Sequence, residues 1–106
     1  MCSIIISMLN FTSEFFGTFI FMSIILYATS SNNLWPSLTP IMICVGLLAG
    51  IIVSASTSGA HLNPAVSVMM FLNKSLTQTQ LGTYVGAQVL GAVAAVALKS
   101  VFDGCK

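Results

Sequence analysis

Three stretches of this chain are each long and apolar enough to cross a lipid bilayer, and that constrains its fold more than any other feature. A helix rises about 1.5 Å per residue, so about 20 apolar residues span a hydrocarbon core about 30 Å thick. The first stretch covers about residues 5–29 and includes FFGTFIFMSIILYA. The second, TPIMICVGLLAGIIVSAST, runs over about 39–57, and the third, TQTQLGTYVGAQVLGAVAAVALKSV, over about 77–101. Composition agrees. Only 5% of the residues are charged, where a soluble domain carries about 25% to cover its surface. Glu14, Lys74, Lys99, Asp103 and Lys106 are the whole supply, and the mean hydropathy is +1.01. A lipid bilayer is the solvent such a chain requires.

The same figures exclude other classes. A net charge of +1 supplies no basic patch, so no nucleic-acid partner is expected. One histidine, two carboxylates and three scattered thiols form no nucleophile–base pair, so an enzyme is not expected. Cys2, Cys44 and Cys105 lie too far apart for a metal-ligating or disulfide framework, and are expected to be buried or terminal thiols, with no metal or cofactor. No Lys or Arg precedes the first apolar run, which is too long for a signal-peptide core, so a cleaved leader is not expected.

Between the second and third stretches the pattern breaks at SGAHLNPAVSV, residues 58–68. Asn63 is a natural N-cap and Pro64 suits the first turn of a helix. Residues 63–73 then give about 16 Å of helix, half a bilayer core, before Asn73, Lys74 and Ser75 stop it. The fold expected is an all-α membrane protein with three transmembrane helices, a re-entrant loop at 58–62 and a half-helix at 63–73. A short surface helix is the alternative that composition allows. Non-helical backbone at membrane depth is tolerated only if it is buried in protein or lines a polar cavity. The loop carbonyls, Asn63 and the positive end of the half-helix therefore suit a narrow pathway for small neutral molecules.

Orientation rests on few charges. Lys74 is the only basic residue between helices, which places residues 58–76 and the N-terminus on the cytoplasmic side and the 30–38 loop, with Trp35 and Pro36, outside. Lys99 and Lys106 weigh mildly against it. Small residues one turn apart, Gly46 with Gly50 and Gly82 with Gly86, predict close helix contacts, continued by Gly91, Ala92, Ala94 and Ala95.

SGAHLNPAV resembles the first signature of the aquaporin/glycerol-facilitator (major intrinsic protein) family, and the likeness extends to SEFFGTFIF in the first helix and YVGAQVLGAV in the third. The resemblance implies the first repeat of that family, half of the aquaporin-like fold. It also implies that Asn63 faces the pore, with Pro64 and Ala65 completing the Asn-Pro-Ala box, while Gly59, Ala60 and His61 line it through their carbonyls. Glu14 matches a buried carboxylate that holds the loop, and Gln88 matches the Ala-Gln pair of the third helix. Ser67 stands where threonine is common and keeps the hydroxyl. Ungapped spacing puts Ile43 at the filter position, without the family's usual aromatic-Gly pair.

These 106 residues hold one Asn-Pro-Ala box and no arginine. The family's pore takes two such half-helices from inverted repeats. The expectation is a channel half for water or a small neutral solute such as glycerol, completed by a homo-oligomer of antiparallel copies or by a second aquaporin-like half. A non-conducting fragment, or an interaction partner of full-length aquaporins, is the alternative.

Overall fold

The computed structural model describes residues 1–104, and within them every regular element is a helix. Three are long: α1 (Cys2–Ala28), α2 (Thr39–Ser54, preceded by a 3-10 turn at Pro36–Leu38) and α4 (Gln78–Gly104). The short one, α3, covers Pro64–Leu72. α1, α4 and the 36–54 segment are each long and apolar enough to span a membrane. Cys105 and Lys106 lie outside the described residues.

Side-chain meetings fix the topology. Ser13 donates to the Ser54 carbonyl (3.3 Å), Gly17 faces Gly50, and Gly46 faces Ile24, so α2 runs antiparallel to α1. Glu14 meets Gln88, and Gly91 packs on the backbone at Phe15 and Phe19, so α4 runs parallel to α1. Polar residues close the α1–α2 turn, with Asn33 Nδ2 donating to the Ala28 carbonyl (2.8 Å) and Asn33 Oδ1 accepting from Trp35 N–H (2.8 Å). Trp35 itself is exposed at that end of the bundle.

The core is narrow and made of small or polar groups. Gly17, Gly46, Gly50, Gly91, Ala87 and Ala95 are buried, whereas Ile41, Val45, Ile52, Val93 and Val96 point outward. A chain folded in lipid needs no apolar interior, because packing, not exclusion from water, holds its helices together. The approaches are tight: an added methyl at Gly50 would lie 2.8 Å from the Gly17 carbonyl oxygen and 2.7 Å from a Leu62 methyl, and one at Gly91 would lie 2.7 Å from the Phe15 carbonyl oxygen.

Two expectations from sequence need correction. Gly82 and Gly86 mark no close contact here, since a methyl added at either would meet nothing within 4 Å. Spacing of small residues on a helix shows that a smooth face exists but not which neighbour lies against it. Cys44 is exposed on the outer face of α2 rather than buried, whereas Cys2 is an exposed thiol near the terminus, as expected. A thiol is apolar enough to stand among Ile41, Val45 and Leu48 on a lipid-facing surface.

A buried carboxylate at the root of a re-entrant loop

α2 ends at Ser54, and one further turn carries the chain to Ser58, whose N–H still reaches the Ser54 carbonyl (3.0 Å). The backbone then reverses. Gly59 takes φ +86°, and Ala60 and Leu62 take φ 55° and 57°. Glycine adopts that region freely, whereas each non-glycine residue held there costs about 1–2 kcal/mol. Leu62 is wholly buried and its methyls lie against Gly17 and Gly50, a full turn back from Ser54 along α2. The chain has therefore re-entered the bundle.

Glu14 holds the reversal in place. It sits at the middle of α1 with no exposed surface, and its two oxygens accept four hydrogen bonds. Oε2 takes the Ser58 hydroxyl and the His61 N–H (3.1 Å); Oε1 takes the Leu62 N–H (2.8 Å) and Gln88 Nε2 (2.8 Å). Two consecutive amides aimed at one carboxyl group form an anion-holding concavity, and they leave no irregular backbone donor unpaired at those positions. A buried acidic group is tolerable only when its oxygens are satisfied in this way.

A second tier extends from Gln88. Its amide also donates to Ser67 Oγ (2.9 Å), which uses both of its protons. The Ser67 proton is then left for His61 Nδ1 at 2.9 Å, so donor counting assigns Nδ1 as an acceptor. The His61 ring packs beside Tyr84, centroids 4.7 Å apart, and the Tyr84 hydroxyl donates to the Ser58 carbonyl at 2.6 Å. Four elements thus meet at one point, with Glu14 from α1, residues 58–62 from the loop, Ser67 from α3, and Tyr84 and Gln88 from α4.

The other side of the loop is open. Asn63 caps α3, its Oδ1 accepting from the Ala65 N–H at 2.8 Å, and no acceptor engages its Nδ2 among the described residues. Asn63, Pro64, Ala65 and Gly59 are exposed and Ala60 is partly so. Ile43 stands apart, half-buried in the second turn of α2, about 16 Å of helix axis from Ser54.

Ser58, Leu62 and Tyr84 belong to the site; sequence marked Ser58 as a break in the apolar pattern without giving it a role, and did not single out Leu62 or Tyr84. Tyr84 carried a signal, since it lies one turn before Gln88 on α4 and so shares its face. Leu62 carried none.

A family model described as "Major intrinsic protein" matches residues 7–105. The chain belongs to the major intrinsic protein family. Among curated relatives, an "Aquaglyceroporin" of Plasmodium berghei (strain Anka) is 37% identical over 93 residues, covering 83% of this chain and 36% of that protein. "Aquaporin-2" of Dasypus novemcinctus is 37% identical over 92 residues, 81% of this chain and 82% of that sequence. "Aquaporin-2" of Rattus norvegicus is 37% identical over 92 residues, 81% of this chain but 33% of its own length. The chain thus spans about a third of the Plasmodium and rat relatives. No solved structure matches it with significance. As a member of the major intrinsic protein family with three spanning helices, it is an integral membrane protein whose all-helical fold corresponds to half of an aquaporin.

Proposed function

We propose that these residues form one half of a channel for passive passage of water or a small neutral solute such as glycerol. The observation that carries the reading is the exposed face of Asn63, Pro64 and Ala65, which begins α3 beside a site at the middle of α1. At that depth an exposed cap residue and the positive end of a helix are costly in hydrocarbon and useful beside water. Gly59 and Ala60 add backbone carbonyls on the same accessible side, so the permeant exchanges hydrogen bonds with the loop and with Asn63. Glu14, Gln88, Ser67 and the His61 side chain serve as the frame, while the His61 carbonyl joins those of Gly59 and Ala60 along the path. Ile43 narrows the path at a separate level, toward the α2 N-terminus.

A lone half-helix leaves the path open on one side. A second half, from an antiparallel copy of this chain or from a separate repeat, closes it. On this reading Lys74, residues 58–76 and the N-terminus face the cytoplasm.

The test is osmotic shrinkage of proteoliposomes carrying the purified chain. Permeability well above that of empty liposomes, reduced by Asn63→Asp, supports a self-completed channel. Permeability equal to empty liposomes refutes self-completion, and co-reconstitution with a chain carrying a second Asn-Pro-Ala repeat then decides the partner form.

A further inference from the structure

Hydroxyls on the long helices of this chain share a resting place. Thr12, Ser54, Thr83 and Ser100 each donate to the carbonyl four residues back. Thr18 does not. It is 1% exposed on the inner face of α1, and its Oγ1 is buried with no hydrogen-bond partner among the described residues. Gln88, 1% exposed on α4, has the matching shortfall. Both of its amide protons are used, on Glu14 and on Ser67, but its Oε1 is buried and unpartnered among the described residues. Turning the amide over would set Oε1 against the Glu14 carboxylate, so Gln88 cannot satisfy itself. Buried polar atoms without partners are rare in folded proteins, and two of them here lie close together.

The packing puts them at one level. Gln88 Nε2 reaches Glu14, which is one turn before Thr18 on α1. Gly91, one turn after Gln88 on α4, lies against Thr18, where an added methyl would come 3.1 Å from the Thr18 Cβ. Thr18 and Gln88 therefore border the same stretch of the α1–α4 seam without bonding to each other. Ser23 Oγ, also buried and unpartnered among the described residues, lines a separate hollow toward the end of that seam.

We propose that one water molecule is bound in the seam between Thr18 and Gln88, accepting from the Thr18 hydroxyl and donating to Gln88 Oε1. The donor inventory selects the occupant. Gln88 Oε1 can only accept, whereas the Thr18 hydroxyl has a proton to give, so the bridging group must both accept and donate. Water is the group of that kind small enough for a packed seam, and buried waters serve such oxygens. The Phe15 carbonyl oxygen, which approaches Gly91 at the same level, offers a second lone pair to the other water proton. With Oε1 held, the Gln88 amide is fixed with its protons on Glu14 and Ser67, so the water is a member of the frame. The site lies apart from the Asn63 face and does not depend on the permeation reading.

Water-edited magic-angle-spinning NMR of the full chain in lipid bilayers tests the proposal. Polarisation from water is expected to reach the Gln88 side-chain amide in the wild type. It is expected to be lost in Thr18→Val, a near-isosteric change that removes the hydroxyl, and kept in Thr18→Ser. Thermal unfolding in detergent supplies an independent sign. Thr18→Val strands the Gln88 oxygen and should melt several degrees below wild type, whereas in a dry seam it removes an unpaired hydroxyl and should melt no lower. Far-UV circular dichroism checks that each variant is helical, and the wild-type spectrum decides alone if Thr18→Val does not fold. No transfer to Gln88 in the wild type overturns the proposal. So does transfer that survives Thr18→Val, or a Thr18→Val variant at least as stable as wild type.

Discussion

The two sides of the 58–65 loop differ in almost every physical respect although they are a few residues apart. On the inner side, Leu62 is fully buried in a strained backbone conformation, and its amide and that of His61 end on Glu14. On the outer side, Asn63, Pro64 and Ala65 are exposed, and the Asn63 side chain accepts from one helix amide, that of Ala65. The inner side is a frame that holds an irregular backbone at membrane depth; the outer side is what the frame presents. Substitutions should therefore separate into those that unmake the fold and those that leave it standing.

The largest effect is expected at Glu14. Glu14→Leu leaves two backbone amides, a hydroxyl and the Gln88 amide without their acceptor, and breaking a buried network costs about 3–5 kcal/mol. Size-exclusion chromatography and thermal unfolding in detergent should show loss of the monodisperse helical species; stability near wild type would end the division into frame and face. Gly50→Ala comes next. Its methyl meets the Gly17 carbonyl oxygen at 2.8 Å, which is backbone and cannot rotate away, so destabilisation of about 1–3 kcal/mol is expected. The same unfolding assay reads it.

The face should behave differently. Asn63→Ala removes a cap and should cost about 1 kcal/mol in the same assay, while Asn63→Asp, an equally good cap residue, should unfold close to wild type. A loss as large as that of Glu14→Leu would place Asn63 in the frame. The smallest effect is expected at Gly86, where nothing lies within 4 Å: Gly86→Ala should change stability by no more than about 0.5–1 kcal/mol, and toward gain, since alanine favours helix. A marked loss would reveal a neighbour for that face in the assembled protein.

Much of this was written locally in the sequence. Helix lengths follow from apolar runs, the short α3 from Asn63-Pro64 and the polar stop at Asn73, and the importance of Glu14 from the rarity of a carboxylate in an apolar helix. The rest depended on distance in the chain. Ser58 and Glu14 are 44 residues apart and Gln88 and Glu14 are 74 apart, and no periodicity pairs such positions. The left-handed conformations of Ala60 and Leu62 were equally hidden, because neither residue type prefers that region; Glu14 and the Gly17–Gly50 seat hold Leu62, and the Ser58 hydroxyl accepts from the Ala60 N–H. The glycine pairs show the same limit: Gly46–Gly50 and Gly82–Gly86 read alike, and only the first meets a neighbour.

The most direct test of a closed inner side and an open outer one is thiol accessibility in intact membranes. In a background with Cys2, Cys44 and Cys105 replaced by serine, single cysteines at Ala65 and at Ser67 are challenged with a membrane-impermeant, water-soluble thiol reagent. The account predicts rapid labelling of Ala65→Cys and protection of Ser67→Cys, which lies two residues on but is fully buried. Equal labelling of both, or protection of Ala65→Cys in a folded protein, would contradict it.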